Sequence, residues 1–192
     1  MTINDGKSEM RGSVKLIAVV QGAPRATVQD TFRTLIDRWG TSARIAGVVA
    51  ETHGFADRAC SAGFLRNIYT GERFSIFQDF GPGSTTCHLD ERGVLAATEA
   101  VRRDISAGCD LVVLNKFGKL EASGTGLLKA FNAAIDADLP VLTSVSPACE
   151  QTWAKFAGPS FVFLPADPVK IDEWWHRVRS SICTAGGNLG DS

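Results

Sequence analysis

Hydrophobic residues along this chain fall into two alternating patterns. Continuous apolar runs rich in β-branched residues cover residues 14–20, 44–50, 111–114, 140–145 and 161–164. Runs of this length and composition are typical of strands that are buried on both faces of a sheet. Between them, apolar residues recur every three or four positions, which is the pattern of a helix that packs through one face. The alternation predicts an α/β fold of three layers, with a mainly parallel sheet of about five strands.

Polar residues mark the starts of the predicted helices. Thr27 and Asp30 form a T-x-x-D pair that is expected to cap the first helix. Asp90 is a suitable N-cap for a second helix, and Asp167 or Asp172 is expected to start the last one. These residues place the helix starts directly after the loops that follow the strands.

One short region departs from the alternation of strands and helices. Residues 66–69 and 73–78 lie on either side of a Thr-Gly-Glu turn, and the second segment alternates in polarity. Two short segments around a turn that contains glycine are typical of a β-hairpin. The region is therefore predicted to be a β-hairpin insertion in the α/β domain.

Length and composition limit the classes of protein that fit. The 192 residues suit one domain, predicted at residues 13–184 between flexible tails at 1–12 and 185–192. The formal net charge of −1 gives no broad positive field for nucleic acid. The apolar runs are strand-sized and the N-terminal segment is polar, so we expect neither a membrane span nor a signal peptide. The cytoplasm is the expected compartment.

The stretch from residue 110 to 126 is the strongest candidate for a ligand site. Its buried strand ends at Asn115 and is followed by Lys116, Gly118, Lys119 and Glu121. In open α/β sheets, ligands bind at the carboxyl ends of the strands. The two lysines make this edge locally positive, which favours a small anionic ligand. The alternative is that the lysines are solvated and that Glu121 pairs with one of them.

The first strand–helix turn is a second candidate, because the N-terminus of a helix favours anions. Gly22, Arg25 and Thr27 are its candidate ligand-binding residues. Gly22 matches the first glycine of the phosphate-binding P-loop, G-x-x-x-x-G-K-S/T. Thr27, Val28 and Gln29 then stand where the second glycine, the lysine and the magnesium-binding hydroxyl should be. The alternative is a plain turn with Thr27 as N-cap.

A glycine-rich loop at residues 79–90 is the third candidate. Gly81, Gly83 and Ser84 could form a backbone nest for an anion. Cys87 and His88 suggest a metal site, but neighbouring residues in an extended segment point to opposite sides. No metal site and no catalytic residue are predicted, and the sequence identifies no cofactor.

Four segments together resemble a bacterial family of unknown function. They are TGER at 70–73, DFGPGSTTCHLD at 79–90, DLVVLNKFGKLEASGTGL at 110–127 and LPVLTSVS at 139–146. The most specific element is the N-K-F-G-K-x-E run. The family is remotely similar to the small P-loop nucleoside-triphosphatases, whose run after the same strand has matching residues at Gly118 and Glu121. The resemblance implies a P-loop-NTPase-like fold, and the family's association with molybdate uptake implies a role in oxyanion or metal homeostasis.

The favoured function is a non-hydrolytic protein that binds a nucleotide or oxyanion at a degenerate P-loop-like site. Ordinary nucleoside-triphosphatase activity is not expected, because the P-loop lysine and the strand-end acids are absent. One alternative is a divergent nucleoside-triphosphatase or phosphotransferase that uses Glu121 or Asp90 as base or metal ligand.

A further alternative is a homodimeric interaction module. This alternative is suggested by four tryptophans, Trp39, Trp153, Trp174 and Trp175. Neighbouring residues on a helix lie about 100° apart, so one of Trp174 and Trp175 is expected to be exposed. An exposed tryptophan would suit an interface between two copies of the chain.

Overall fold

Five parallel strands form most of a seven-stranded sheet in the computed structural model, which describes residues 14–52, 54, 63–78 and 88–186. The strands are β1 (Ile17–Gln21), β2 (Ile45–Glu51), β3 (Phe64–Asn67), β4 (Arg73–Ser75), β5 (Phe77–Gln78), β6 (His88–Leu89), β7 (Leu111–Leu114), β8 (Val141–Ser144) and β9 (Phe161–Pro165). The helices are α1 (Arg25–Trp39), α2 (Glu91–Ser106), α3 (Lys119–Ala122), α4 (Leu128–Asp136), α5 (Glu150–Ala157) and α6 (Pro168–Gly186), and a 3₁₀ turn spans Pro147–Cys149. The α/β class and the mainly parallel sheet are as predicted.

The strand order is β4-β3-β2-β7-β8-β1-β9, with β3 and β4 antiparallel at one edge. The predicted hairpin therefore extends the main sheet, which has seven strands instead of five. Its strands also differ from the prediction, because β4 ends at Ser75 and β5 pairs with β6 in a separate two-stranded ribbon. Glu51 holds the added strands by pairing with Arg66 at 2.7 Å and with Arg73 at 2.8 Å. The hairpin covers the edge of β2 that would otherwise be unpaired.

Both faces of the sheet are apolar because successive strand residues point to opposite sides. On one face, α1 and α6 enclose a core that includes Phe32, Leu35, Trp174 and Trp175. On the other face, α2, α4 and α5 enclose a second core, which includes Val101, Phe131 and Trp153. The result is a three-layer sandwich. Among the described residues, no helix has the length and apolar character needed to cross a membrane.

The chain changes direction across the sheet at β1 and β8. Helix α1 carries the chain from β1 to β2, which lies beyond β8 and β7. Helix α5 lies on the opposite face and carries the chain from β8 past β1 to β9. Connections that leave neighbouring strands in opposite directions open a crevice at their carboxyl ends. The fold thus puts the crevice at the ends of β1 and β8, next to the end of β7.

Two of the helix starts agree with the predictions and one does not. Asp90 caps α2 by accepting a hydrogen bond from the Arg92 N–H at 3.0 Å, and the Asp167 carboxylate accepts one from the Val169 N–H at 2.9 Å. The predicted T-x-x-D cap is wrong, because α1 begins at Arg25 and its N-cap is Pro24. Proline has a fixed φ, −55° here, and an extended ψ of 148° places it just outside the helix. Thr27 therefore lies inside the first turn.

The prediction that Trp174 or Trp175 is exposed is also wrong. The exposed fractions of their side chains are 2% and 1%. Helix α6 packs against both the sheet and α1, so its buried face is wide enough for two neighbouring residues. Trp174 donates its Nε1–H to the Lys15 carbonyl at 2.9 Å, while the ring of Trp175 lies 5.8 Å from that of Trp39. The homodimer prediction thus loses the exposed tryptophan on which it rested.

Trp174→Phe is expected to lower the free energy of unfolding by about 1 kcal/mol more than Trp153→Phe, as measured by urea denaturation. Both changes remove the same atoms from a fully buried indole ring. Only Trp174 loses a hydrogen bond, because Trp153 Nε1 has no partner among the described residues. An equal or larger loss in Trp153→Phe would contradict this account of Trp174.

Candidate functional site

A cleft of about 320 Å³ lies at the carboxyl ends of β7 and β8. The segments that follow these strands form its floor, and Arg25 reaches it from the start of α1. Its lining residues are Arg25, Leu65, Ile76, Leu89, Val94, Asn115, Lys116, Gly118, Lys119, Leu120, Glu121, Leu127, Ser146, Ala148 and Cys149. The cleft occupies the crevice where an open α/β sheet binds its ligands.

The fold brings together six of the eleven predicted ligand-binding residues. Arg25, Asn115, Lys116, Gly118, Lys119 and Glu121 all line the cleft. Gly22 and Thr27 do not line it, although they lie just before α1 and in its first turn. Gly81, Gly83 and Ser84 lie outside the described residues, as do Cys87 and the side chain of His88.

The first turn of α1 presents backbone donors beside Arg25. The Val28 N–H makes the first hydrogen bond of the helix, to the Pro24 carbonyl at 3.1 Å. The preceding amides, at residues 25–27, have no partner within the helix. Since the helix starts at Arg25, the turn after β1 spans three residues and is too short to wrap around a phosphate as a P-loop does. Val28, at the position of the P-loop lysine, is buried in the core under α1.

Asn115 is fixed at the end of β7 through its backbone. Its carbonyl accepts hydrogen bonds from Ser144 Oγ at 3.1 Å and from Gln29 Nε2 at 3.2 Å. The residue is 7% exposed, and its Oδ1 atom has no hydrogen-bond partner among the described residues. A buried polar atom without a partner costs about 1–3 kcal/mol. An unsatisfied buried atom of this kind needs an explanation, and a role in binding a ligand is one.

Lys116 lies partly buried across the floor of the cleft. A Cβ atom added to Gly118 would lie 3.1 Å from Lys116 Cε, so the glycine leaves room for the lysine chain. Burial lowers the pKa of Lys116, and the nearby Arg25 guanidinium lowers it further, against smaller opposing effects of Glu121 and Cys149. Neither Lys116 nor Arg25 forms an ion pair with another described residue. Two neighbouring cations that form no ion pair with a described carboxylate make the cleft attractive to anions.

Glu121 lines the cleft and also holds the loop around it. Its Oε2 accepts a hydrogen bond from the Gly118 N–H at 2.8 Å, and its Oε1 accepts one from the Leu127 N–H at 2.9 Å. The side chain is buried, at 7% exposure, and none of the ion pairs among the described residues includes it. The alternative in which Glu121 pairs with Lys116 or Lys119 is therefore wrong. The carboxylate instead fixes the loop between β7 and α4.

Gly126 explains why the loop needs its glycines. It has a φ of +63°, and a Cβ atom there would lie 2.3 Å from Glu121 Oε1. Only glycine accepts both the left-handed backbone and the close approach of the carboxylate. The glycines of this stretch thus serve the Glu121 contact as well as the cleft.

Three residues of the N-K-F-G run line the cleft, and the fourth lies in the core. Asn115, Lys116 and Gly118 line the cleft, whereas Phe117 is 1% exposed and lies in the core. The ring centroid of Phe117 lies 5.2 Å from that of Trp153 and 5.7 Å from that of Phe131. Phe117 therefore anchors the polar residues on either side of it.

Several residues that line the cleft were not predicted from the sequence. Ser146 and Cys149 follow β8, and the rule that ligands bind where strands end could have found them. The apolar side of the cleft comes from β3, β6 and α2, and includes Leu65, Leu89 and Val94. No local pattern distinguishes these from ordinary core residues, because their position depends on how the hairpin joins the sheet.

The residues at this edge do not fit the magnesium ion of a nucleoside-triphosphatase. That ion takes oxygen ligands, among them a carboxylate at the strand end and a hydroxyl at the first helix. The strand end here carries an amide and an ammonium group. Gln29, at the position of the hydroxyl, donates Nε2–H to the Asn115 carbonyl and accepts the Ala50 N–H at Oε1, both at 3.2 Å. Both ends of its amide are therefore occupied.

A second depression, of about 710 Å³, lies at the opposite edge of the sheet. Two of its charged groups, Arg44 and Asp110, already have partners within the protein. The Arg44 N–H donates to Asp110 Oδ2 at 2.7 Å, and the Arg44 guanidinium lies 4.6 Å from the centre of the Tyr69 ring. Because Arg44 and Asp110 are engaged with each other, and because ligands of open α/β sheets bind at the carboxyl ends of the strands, the cleft at the carboxyl edge is the better candidate site.

Comparison with known proteins agrees with the resemblance seen in the sequence. A protein named molybdenum import ATP-binding protein ModC 2, from Bradyrhizobium diazoefficiens, is 35% identical over 158 residues. The alignment covers 79% of this chain and 18% of the relative, so the chain spans less than a fifth of that protein's length. The similarity supports a remote relationship to P-loop nucleoside-triphosphatases. No solved structure matches the chain.

A family model described as a protein of unknown function, DUF2478, matches residues 17–174. This span includes every strand and reaches into α6, so it covers the whole sheet and the cleft. The prediction of a family of unknown function is confirmed, and the chain belongs to the DUF2478 family.

Proposed function

We propose that this protein binds a nucleotide or oxyanion in the cleft and does not hydrolyse it. The observation that carries the proposal is the approach of Arg25 to Lys116 at a strand edge, without an acidic partner among the described residues. Placing two cations together costs free energy unless an anion compensates them. The amides at the start of α1, which have no partner within the helix, add further donors for an anion.

The residues of the cleft favour binding over catalysis. Hydrolysis of a phosphoanhydride needs a group that positions water and a cation that neutralises the transferred phosphoryl group. Glu121 is engaged by two backbone N–H groups, and Asp90 caps α2. Both carboxylates thus already have structural roles, which favours binding over the divergent nucleoside-triphosphatase.

Arg25, Asn115, Lys116 and Lys119 are the proposed ligand-binding side chains. Gly118 gives Lys116 its room, and Glu121 holds the loop that carries them. Gly22 and Thr27 are proposed to contribute backbone groups at the start of α1. The proposed contribution of a nest at Gly81, Gly83 and Ser84 remains a prediction from the sequence.

The relative suggests a biological setting for such a protein. Its name refers to ATP binding and molybdenum import, and the alignment covers 18% of it. This chain contains no G-x-x-x-x-G-K-S/T run, so ATP binding of the usual P-loop kind is not proposed for it. We propose a link to molybdate or metal homeostasis. In this proposal, the anion bound in the cleft either takes part in that process or signals its state.

Isothermal titration calorimetry with phosphate, molybdate, tungstate and ATP tests the proposal. We expect at least one anion to bind with the same affinity in magnesium and in EDTA, and ATP to yield no more phosphate than a buffer blank. The absence of binding at millimolar concentrations of all four would refute the proposed function. Magnesium-dependent release of phosphate would favour the enzymatic alternative instead.

The affinity for sulfate, which does not titrate in this range, should fall as the pH rises from 7 to 10. The pKa of Lys116 is lowered by burial and by Arg25, so its positive charge is lost below the ordinary lysine pKa of about 10.4. A bound anion stabilises the ammonium form, and binding should therefore take up a proton in this range. In Lys116→Arg the charge persists, and the fall in affinity should disappear. A pH profile that is the same in both proteins would contradict the assignment to Lys116.

A further inference from the structure

We infer that the cleft is built for an organic anion, a phosphate or carboxylate attached to an apolar group, in preference to a bare inorganic oxyanion. The inference rests on the proposed function, because it assigns the anionic end of the ligand to Arg25 and Lys116. It goes further by giving the ligand a second, apolar end.

The cleft has two chemically different sides. Arg25, Asn115 and Lys116 come from the ends of the central strands and supply charge and hydrogen-bonding groups. Six leucine, isoleucine and valine side chains form an apolar side, namely Leu65, Ile76, Leu89, Val94, Leu120 and Leu127. A tetrahedral oxyanion has no apolar surface to place against such residues. Ligand sites that are mostly apolar with a few converging polar groups are typical of organic molecules.

Leu89 is the residue on the apolar side that best indicates contact with a ligand. It lies in β6 opposite Phe77 and lines the cleft, yet it is 41% exposed. Its neighbours on the apolar side, Leu65 and Val94, are 2% and 5% exposed and belong to the core. Leu89 therefore contributes less to the core than they do, and its exposed surface is available to a ligand.

The size of the cleft agrees with a ligand larger than an inorganic ion. Its volume of about 320 Å³ is that of about ten water molecules at about 30 Å³ each. It also falls at the lower end of the range, about 300–1,000 Å³, of sites for small organic molecules. An inorganic oxyanion held by Arg25 and Lys116 would leave most of the apolar side in contact with water.

Calorimetry with inorganic phosphate and phenyl phosphate tests the inference, because the two ligands share the charged group and differ by the phenyl ring. We expect phenyl phosphate to bind at least about tenfold more tightly, since an aromatic ring buries a large apolar area. Leu89→Ser should weaken phenyl phosphate by about threefold to tenfold and leave inorganic phosphate unchanged. Leu89 is exposed, so this change should not prevent folding.

Leu95→Ser is the matched control, because Leu95 is 49% exposed on α2 and does not line the cleft. It should alter neither affinity. Equal binding of the two ligands would overturn the inference and leave the proposed function intact. A similar loss in Leu95→Ser would also overturn it, since the effect would then not come from the cleft. If neither ligand binds, the inference fails, and the proposed function then fails only if molybdate, tungstate and ATP do not bind either.

Discussion

Lys116→Met should weaken anion binding at least about tenfold and, at the same time, raise the free energy of unfolding. A hydrogen bond to a charged group contributes about 1.5–3 kcal/mol, and about 1.4 kcal/mol corresponds to a tenfold change in affinity. Lys116 supplies such a group from a partly buried position, where burial and Arg25 both disfavour its charge. Methionine keeps most of the apolar chain that lies over Gly118 and removes the charge. We expect a gain in stability of up to about 1 kcal/mol near neutral pH.

The opposite signs of the two effects distinguish a functional lysine from a structural one. If Lys116 served folding, its loss would lower stability, and calorimetry with phosphate and urea denaturation would show both quantities falling. Lys129→Met is the matched control, because Lys129 lies exposed on α4 and outside the cleft. It should change neither quantity measurably.

The stability gain of Lys116→Met should also depend on pH. The folded protein lowers the pKa of Lys116 relative to the unfolded chain. Below both values the lysine is charged in both states, so the folded state carries the full cost of burying the charge. As the pH rises through the lowered pKa, the folded wild type loses that charge and becomes more stable. The difference between wild type and variant should therefore shrink at alkaline pH.

The parallel strands and the location of the candidate cleft could be predicted from the sequence because both depend on local patterns. An apolar run such as Leu111–Leu114 is long enough for a buried strand and too short for most helices. The rule that parallel strands present ligands at their carboxyl ends then places Asn115 and Lys116 at a site. Arg25 joins them because β1 lies next to β8 in the sheet.

The roles of individual residues were less predictable because they depend on contacts between distant segments. Gln29 is a polar residue in an amphipathic helix by sequence, yet it bridges the ends of β2 and β7 through Ala50 and Asn115. The neighbouring tryptophans Trp174 and Trp175 are both buried because α6 packs against two surfaces. No window of sequence around either position contains its partner.

The first turn shows how a sequence motif and a local rule can disagree. Spacing from Gly22 suggests a loop of P-loop length, whereas Pro24 favours an immediate start of the helix. The structure follows the preference of proline, because α1 begins at Arg25. Anions are then expected to meet the end of a helix and the side chains around it. The cleft can be an anion site without reproducing the phosphate loop of its remote relatives.

Glu121→Ala should lower the free energy of unfolding by about 3 kcal/mol in urea denaturation. The change removes the acceptor of two hydrogen bonds and leaves the Gly118 and Leu127 N–H groups without partners in a buried loop. A buried donor left unsatisfied costs about 1–3 kcal/mol, and bonds to a charged acceptor are the stronger ones. Since this loop carries Lys116 and Lys119, anion affinity should fall as well.

Glu121→Gln separates this structural role from a catalytic one. Glutamine keeps one oxygen acceptor, but its NH₂ group faces the second backbone N–H, so about half of the stability loss of Glu121→Ala should remain. Glu173→Ala is the control, because Glu173 is exposed and pairs only with Lys170 at 3.1 Å, and such pairs contribute about 0–1 kcal/mol. A catalytic base would behave in the opposite way, because Glu121→Gln would then abolish metal-dependent phosphate release while leaving stability unchanged. Retention of wild-type stability in both Glu121 variants would show that the carboxylate does not hold the loop.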